Sequence, residues 1–318
     1  MNSNYFPIDD RYYRYSRYLH ERFQARVYRI SLDAGFTCPT RDGTKGLGGC
    51  LYCNNDSFAP QRLESLPSVS EQIQKGMATA RRFHKAQKFL GYFQSFSNTY
   101  APVEKLEKLY REALEFPEVA GLCIGTRPDC ISEEILELLA QLNREIYISI
   151  EFGIESVYDK TLEWAHRGHD FLQTREAIKA AQAGGLHVAG HLILGFPTET
   201  RAEILATPAV LNEIGLDALK IHHLHIVRNT PLAKIYAEHP FPVFTADEWI
   251  GLTADFLEHL RPEMAIQRLC GEAKSGTLIA PVWHLSKNEV INGIRNELER
   301  RGTWQGSLIN TNISAKSA

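Results

Sequence analysis

Strand-like apolar runs alternate with amphipathic helical stretches along most of this chain, and that alternation restricts its fold more than any other feature. The apolar runs occupy residues 27–32, 89–93, 119–124, 145–150, 187–194 and 219–226. Helical periodicity occupies segments between them, at about 69–87, 103–115, 132–142, 171–184 and 201–214. Repeated β–α units favour a parallel sheet with helices on its outer side. Six units curl into an open barrel, so the sequence predicts an α/β fold, a partial (β/α)6 barrel.

The pattern changes beyond Pro231. Helical segments follow at about 246–260 and 286–300, with a short strand near 264–269. We interpret this region as a helical C-terminal extension that caps the barrel. The predicted organisation is a basic, aromatic leader at 1–25, a barrel core at 26–230 and the extension at 231–318.

Composition narrows the class of protein. The net charge of −3 over 318 residues is close to neutral, so any contact with nucleic acid has to come from a local basic patch. The sequence lacks an apolar run of about 18 residues, which predicts that it does not span a membrane. Residues 1–5 lack the basic and apolar layout of a secretory signal. We therefore expect a cytoplasmic protein, in which cysteines are ligands, nucleophiles or core residues.

Three of the six cysteines are crowded into one loop. Cys38, Cys50 and Cys53 follow the first predicted strand, at the mouth where α/β barrels assemble their active sites. Three thiolates suit a [4Fe–4S] cube in which the fourth iron stays open for another ligand. The glycines of this loop allow the backbone to wrap closely around such a group. The sequence thus predicts Cys38, Cys50 and Cys53 as the metal ligands and the catalytic centre.

The alternative interpretation is a zinc site. Cys50 and Cys53 have the spacing of a zinc-binding pair, which two distant ligands would complete. Cys38, in the same loop, favours the iron–sulfur interpretation. The zinc alternative stays open at this point.

The cysteine loop, with an aromatic Tyr52 before its last cysteine, resembles that of radical S-adenosylmethionine (radical SAM) enzymes. The resemblance is strongest to the branch that contains the Elongator catalytic subunit and the bacterial YhcC/MnmL group. Further matching segments lie at 91–100, 124–129, 151–156, 167–169, 190–197, 267–271 and 278–281. The resemblance to the YhcC/MnmL group therefore extends over nearly the whole chain.

The resemblance implies the two cofactors, a [4Fe–4S] cluster and S-adenosylmethionine (SAM). In such enzymes the open iron chelates the methionine part of SAM, and one-electron reduction yields a 5′-deoxyadenosyl radical that abstracts hydrogen from the substrate. By position, Glu155 and Arg167 are expected to hold the ribose and the carboxylate of SAM, since arginine offers a bidentate fork to a carboxylate. The alternative for this pair is an ion pair on the barrel rim.

Four more side chains fall where the resemblance implies SAM contacts. Gln94, Ser95 and Asn98 stand where relatives have a glycine-rich turn for the SAM amino group, so side chains are expected to replace backbone contacts here. His191 falls where relatives have a polar residue that binds the ribose. A hydrogen-bonded core histidine is the alternative for His191.

Charged and imidazole side chains gather at the sixth predicted strand. Lys220, His222 and Arg228 are predicted to bind an anionic substrate group at the barrel mouth. Alternation along a strand sends His222 to the face opposite His223 and His225. Structural histidines are the alternative for each of these imidazoles.

The leader interleaves arginine with tyrosine from Arg11 to Tyr18. Guanidinium groups bind phosphates and aromatic rings stack on unpaired bases, which favours contact with RNA. The alternative is an amphipathic helix whose tyrosines pack on the barrel. Of the scattered cysteines, Cys123 is expected in the core, and no role is assigned to Cys130 or Cys270.

The resemblance implies a substrate as well. Members of the MnmL-type group are expected to act on the wobble uridine of tRNA, removing the carboxymethyl part of a carboxymethylaminomethyl substituent to leave an aminomethyl group. A low-potential electron donor such as flavodoxin or ferredoxin is the further expected partner. Two alternatives stay open: a radical SAM enzyme for a small molecule or peptide, and a zinc-stabilised RNA-binding module.

Overall fold

A parallel sheet of seven strands forms the centre of the computed structural model, which describes residues 10–54 and 66–309. Its first six strands are β1 (Val27–Leu32), β2 (Lys88–Phe93), β3 (Val119–Thr126), β4 (Tyr147–Glu155), β5 (His187–Leu194) and β6 (Ala218–His223). Two short strands, β7 (Ile226–Val227) and β9 (Leu278–Ala280), form a separate antiparallel pair. The seventh strand of the main sheet is β8 (Ala265–Arg268), which pairs in parallel with β6.

Helices connect and cover the strands. They are α1 (Tyr15–Phe23), α2 (Val69–His84), α3 (Val103–Ala113), α4 (Glu133–Glu145), α5 (Asp159–Trp164), α6 (Phe171–Ala183), α7 (Arg201–Ile214), α8 (Pro231–Glu238), α9 (Ala246–Glu258) and α10 (Lys287–Arg301). Helices α2, α6, α7, α9 and α10 begin with a capping box, in which a Ser, Thr or Asp and a Glu or Gln three residues later satisfy free backbone N–H groups. The local sequence therefore determines where these helices begin.

The predicted partial barrel is confirmed. The strand expected near 264–269 does more than cap it, since β8 continues the sheet beyond β6. The region after 231 thus contributes to the barrel wall. The division of the chain at 230 and 231 stays a prediction.

Side chains that cross the interior show how far the sheet curls. Arg29 on edge strand β1 donates through Nη1 to Gln267 Oε1 on the opposite edge, β8, at 3.1 Å. The same nitrogen donates to Glu151 Oε1 on β4 at 3.0 Å. Helix α1 lies across the two edges, where the backbone N–H of Ile266 donates to the carbonyl of Tyr13 at 2.7 Å. We call the gap between β1 and β8 the seam.

The two sides of the sheet differ in chemistry. On the outer side, Phe89, Leu139, Ile178 and Leu211 belong to one continuous, fully buried apolar core between strands and helices. Burial of this kind is worth roughly 25 cal/mol per Å² of apolar surface. The barrel interior instead holds charged side chains, which marks it as the site of chemistry.

None of the helices in the described ranges is long and apolar enough to cross a membrane.

The described part of the leader packs on the barrel. Tyr15 is buried, stacks on Tyr18 with ring centroids 5.5 Å apart, and its hydroxyl lies 3.5 Å from that of Tyr147. Arg22 remains exposed beside these rings. This is the arrangement of the amphipathic-helix alternative. Contact of the leader with RNA stays a prediction, and residues 1–9 lie outside the described ranges.

Candidate active site

A cavity of about 210 Å³, which we call the cofactor cavity, opens at the carboxyl ends of the strands. Parallel strands place the residues that follow them at one edge, so side chains far apart in sequence converge here. Eight predicted site residues line the cavity: Cys38, Cys50, Cys53, Gln94, Glu155, Arg167, His191 and Lys220. The other four predicted residues, Ser95, Asn98, His222 and Arg228, lie outside the lining.

The cysteine loop is closed by its own backbone. The N–H of Arg41 donates to the carbonyl of Cys38 at 2.9 Å, and that of Cys53 donates to the carbonyl of Cys50 at 3.0 Å. Gly49 adopts a φ of +80°, and a Cβ there would lie 2.9 Å from Nε of Arg41. Only glycine meets both conditions without displacing the arginine. The loop thereby holds three thiols around one end of the cavity.

The environment of the thiols fits an iron–sulfur cluster. Burial raises the pKa of the Cys53 thiol to about 11, and it also raises the pKa of Cys38. Buried thiolates therefore need a compensating positive group, which cluster iron supplies. Among the residues in the described ranges, no three His, Cys, Asp or Glu side chains are grouped to hold one metal ion. A cube requires no such convergence, because each of three irons takes one thiolate.

Two buried arginines lie next to Cys50. Arg167 donates through Nη1 to Cys50 Sγ at 3.4 Å, and Arg127 approaches the same sulfur through Nη1 at 4.0 Å. Asp129 fixes the Arg127 guanidinium with two hydrogen bonds of 2.9 Å, and Arg127 Nη2 in turn donates to the carbonyl of Arg167. Such a pair of cations stabilises sulfur that carries negative charge. Arg127 was not predicted as a site residue.

Glu155 and Arg167, which the sequence predicts as a SAM-binding pair, lie next to each other at the end of β4. Their Oε1 and Nη2 atoms lie 3.7 Å apart, and Nη2 also donates to the carbonyl of Gly153 at 2.7 Å. Glu155 has a φ of +63°, an uncommon backbone conformation that concentrates at functional sites. The buried Nε of Arg167 has no hydrogen-bond partner within the described part of the chain. A donor remains available for a carboxylate, although SAM contact at this pair stays a prediction.

Glu151 is a buried carboxylate that the sequence analysis did not assign. It accepts hydrogen bonds from Arg29 at 3.0 Å, from Gln267 at 2.9 Å and from His191 Nε2 at 2.8 Å. Arg29 and His191 hold the pKa of Glu151 well below its usual range despite burial. Burial and the charge of Lys220 lower the pKa of His191 to about 4, so this ring is neutral and presents Nδ1 as an acceptor.

The loop after β2 divides its polar side chains between two tasks. Asn98 is fully buried and donates through Nδ2 to the carbonyls of Phe93 at 3.1 Å and Gly125 at 2.7 Å, joining β2 to β3. Gln94 lines the cofactor cavity. Ser97, which was not predicted, lies with its hydroxyl 3.2 Å from Cys38 Sγ. The predicted SAM contacts of Gln94, Ser95 and Asn98 stay predictions.

The three predicted substrate-binding residues lie at different places in the structure. Lys220 is buried in the wall of the cofactor cavity and donates to Tyr92 Oη at 3.1 Å. His222 lies farther along the same strand face, where its Nε2 accepts from Arg268 Nη1 at 3.1 Å. Arg228 is exposed and donates through Nε to the carbonyl of Gly276 at 3.2 Å. Only Lys220 faces the cofactor cavity.

The remaining imidazoles and thiols lie elsewhere. His223 and His225 approach each other, with Nε2 atoms 2.7 Å apart, in a separate cavity of about 230 Å³ that Cys270 also lines. Cys123 is buried on β3 near the hydroxyl of Tyr15, as expected of a core residue. None of the six cysteines, all of which lie within the described ranges, forms a disulfide bond.

The comparisons with known proteins agree with the geometry. The model of the Radical SAM superfamily matches residues 44–208, and that of the Radical_SAM C-terminal domain matches residues 216–300. The chain belongs to the Radical SAM superfamily. It is therefore a radical SAM enzyme whose cofactors are a [4Fe–4S] cluster and SAM, and the zinc alternative loses its basis.

Individual relatives match this chain over different lengths. The uncharacterized protein YtqA of Bacillus subtilis is 35% identical over 314 residues, 97% of this chain and 97% of its own. Protein YhcC of Escherichia coli K12 is 36% identical over 266 residues, 83% of this chain and 85% of its own. The tRNA uridine(34) acetyltransferase of Methanocaldococcus infernus is 28% identical over 159 residues, 46% of this chain and 28% of its own.

A solved structure shares the fold. Archaeal Elp3 from Methanocaldococcus infernus, with its N-terminus deleted, superposes with a TM-score of 0.68 at 16% identity. The match covers 88% of this chain and 64% of that chain. At this identity the likeness supports the fold alone.

Three residues of the site were not predicted from the sequence, although the position of each in the sequence indicates a functional role. Glu151 is a carboxylate inside an apolar strand, Arg127 stands directly after β3, and Ser97 lies in a loop whose neighbours were assigned. A charged or polar residue at the carboxyl end of a barrel strand indicates function. Their partners, however, come from other strands and are set by the fold.

Proposed function

We propose that this protein modifies tRNA, converting a carboxymethylaminomethyl substituent on the wobble uridine to aminomethyl. Loss of a hydrogen atom and then an electron from the CH2 beside the carboxylate would give an imine, the electron returning to the oxidised cluster, and hydrolysis of that imine would release the two-carbon unit as glyoxylate. The observation that carries the proposal is Lys220, a buried cation in the wall of the cofactor cavity. Among the described residues it forms no ion pair with a carboxylate, and its hydrogen-bond partner is the hydroxyl of Tyr92. Glu151 and Glu155 line the same cavity and partly offset the charge of Lys220 from a distance. A buried ammonium that no carboxylate contacts directly still has room for an anionic ligand to complete the site.

The residues around the cavity receive distinct roles. Cys38, Cys50 and Cys53 hold the cluster, while Arg167 and Glu155 hold SAM. When bound, the cluster and SAM together supply a 5′-deoxyadenosyl radical that abstracts hydrogen. The chain itself positions the reacting groups and excludes water from them.

Lys220 orients the substrate in this proposal. The substituent that is removed carries a carboxylate, and an ammonium group in a water-poor wall attracts a carboxylate strongly. Anchoring the carboxylate places the adjacent carbon–hydrogen bond toward the SAM end of the cavity. His191, held neutral by burial, offers an acceptor on the same wall without repelling the cation.

Relatives support a tRNA substrate. The Methanocaldococcus infernus relative is by name a tRNA uridine(34) acetyltransferase. The arginines of α1 that stay accessible, such as Arg22, offer phosphate contacts beside the barrel. A low-potential donor such as flavodoxin or ferredoxin would reduce the cluster.

The test is an anaerobic assay of the reconstituted protein with tRNA taken from cells that lack it. Wild type is expected to form 5′-deoxyadenosine and to convert the wobble nucleoside, as followed by mass spectrometry. Cys38→Ala is expected to lose both activities, and Lys220→Met is expected to lose conversion while the cluster is retained.

Two outcomes separate the proposal from its competitor. Unchanged wobble modification in cells lacking the protein rules out the tRNA function. SAM cleavage that ignores tRNA but responds to a small molecule or a peptide assigns the protein to the other substrate class.

A further inference from the structure

Two basic side chains stand next to each other on β6 and β8. Lys220 and Arg268 are Cα partners in the parallel register of these strands. Like charges at neighbouring positions of a sheet repel each other and destabilise it. Lys220 is buried and Arg268 is half-buried, so an anion between or beside the two charges would stabilise the pair.

Arg268 lacks an acidic partner as well. Within the described ranges its hydrogen bond goes to His222 Nε2, at 3.1 Å, and no carboxylate pairs with it. A neutral imidazole orients a guanidinium without neutralising it. Burial and the guanidinium of Arg268 lower the pKa of Lys220 to about 7, against the opposing effect of the Glu151 and Glu155 carboxylates.

The position of Arg268 connects two spaces. It lines a cavity of about 500 Å³ at the seam between β1 and β8, which we call the seam cavity. Gln94 lines both the seam cavity and the cofactor cavity, and Tyr92, the partner of Lys220, also lines the seam cavity. The two cations thus stand where the spaces approach each other.

The seam cavity itself is cationic. Its described lining contains Arg14, Arg29, Arg268 and Lys287 and no acidic residue. Outside the lining, Asp10 pairs with Arg14 at 2.7 Å, Glu151 with Arg29 at 3.0 Å, and Glu272 lies 3.5 Å from Lys287. Among the described lining cations, Arg268 is the one that no carboxylate pairs with directly, although Glu272 acts on it from farther away. Its guanidinium is therefore available to an incoming anion.

We propose that Lys220 and Arg268 together bind one anionic oxygen group of the substrate, a carboxylate or a phosphate, where the seam cavity meets the cofactor cavity. His222 acts as the positioning residue that orients Arg268 toward this group. If the anion is a carboxylate, this inference rests on the proposed function, because the wobble substituent supplies that carboxylate. If the anion is a phosphate, the nucleotide backbone supplies it.

The test measures binding of small probes to the anaerobically reconstituted holoenzyme by calorimetry. The carboxylate probe is 5-carboxymethylaminomethyluridine, the phosphate probe is uridine 5′-monophosphate, and uridine is the uncharged reference. At least one anionic probe is expected to bind tenfold or more tightly than uridine. The probe that does so identifies the source of the anion.

Variants then test the two cations. Arg268→Gln and Lys220→Met are each expected to lower the affinity for the preferred probe about tenfold, because each removes one charge-assisted contact. Arg268→Lys keeps the charge and is expected to keep most of the preference, and Arg82→Gln, at an exposed site on α2, is the matched control. Cluster absorbance and circular dichroism verify that each variant is folded.

The proposal is overturned if neither anionic probe binds more tightly than uridine, or if the preference survives in Arg268→Gln. Its failure is distinguishable from failure of the tRNA function. If Arg268→Gln keeps the preference for an anionic probe while wobble modification still depends on the protein, only the proposed anion site is ruled out. If wobble modification is unchanged in cells lacking the protein while the preference for an anionic probe depends on Arg268, only the tRNA function is ruled out.

Discussion

Lys220 and Arg268 are register partners on adjacent parallel strands, and within the described ranges neither forms an ion pair with a carboxylate. This arrangement costs free energy in the ligand-free protein, because buried charges lose hydration and like charges repel. Residues that destabilise a fold in this way are typical of ligand sites. The relationship leads directly to a prediction about stability.

Replacing Lys220 by methionine is expected to raise the free energy of unfolding of the ligand-free protein by about 2 kcal/mol, because replacing buried charged side chains by apolar ones of similar volume often stabilises a fold by about 1 to 4 kcal/mol. Urea unfolding followed by circular dichroism measures the change. Lys234→Met, at an exposed position on α8, is the matched control and is expected to stay within about 0.5 kcal/mol of wild type. A less stable Lys220→Met would show that the ammonium is stabilised by the fold.

The same lysine predicts a pH dependence. Burial lowers the pKa of Lys220 from 10.5 to about 7. Between these values the unfolded chain binds more protons than the folded one, so the free energy of unfolding rises with pH. We expect the free energy of unfolding to rise between about pH 7 and pH 10 by more in wild type than in Lys220→Met. Other titrating groups contribute equally to both proteins, so the difference between the two curves reports Lys220. Parallel stability curves would contradict the lowered pKa.

Ser97 is expected to raise the reduction potential of the cluster. Its hydroxyl lies 3.2 Å from Cys38 Sγ, and a hydrogen bond to a ligating sulfur withdraws negative charge from the cluster. Ser97→Ala should therefore shift the midpoint potential to a more negative value with the cluster retained, as measured by redox titration with electron paramagnetic resonance. Ser70→Ala, on α2 and outside the cavity lining, is the control. Equal potentials in all three proteins would remove this role from Ser97.

Gly153→Ala is expected to disturb the SAM-binding pair. A Cβ at this position would lie 2.7 Å from Glu155 Oε1 and 3.0 Å from Arg167 Nη2, so both side chains have to move. We expect SAM affinity, measured by equilibrium dialysis, to fall at least tenfold. Gly251→Ala is the control, because a Cβ there meets open space in α9 and alanine favours helix by about 0.8 kcal/mol. Full SAM affinity in Gly153→Ala would place SAM elsewhere.

Glu151→Gln is expected to destabilise the protein by about 3 kcal/mol. The variant removes the charge that Arg29 faces, and its amide N–H2 replaces either the oxygen that accepts from Arg29 and Gln267 or the one that accepts from His191, where donor then meets donor. Thermal unfolding measures the loss. Glu118→Gln breaks an exposed ion pair with Arg81 and should cost less than about 1 kcal/mol. Equal effects of the two substitutions would mean that the interior network contributes little.

The sequence determined the kind of fold and the centre of the chemistry. Hydrophobic periodicity is local, so it located β1 to β6 and most helices. The spacing of Cys38, Cys50 and Cys53 is also local and favoured a [4Fe–4S] cluster, while the family resemblance implied SAM. The superfamily match confirms both cofactors. Capping residues such as Ser68 and Thr245 fixed the helix starts for the same reason.

Only the tertiary structure decided which side chains meet. Glu151 gains its partners from β1, β5 and β8, and Lys220 becomes the neighbour of Arg268 because β8 pairs with β6. A strand pattern shows which face a residue occupies but not which distant strand lies beside it. Contacts of this kind depend on the closure and register of the whole sheet, since hydrogen bonding and desolvation act on distances in space that sequence separation does not define.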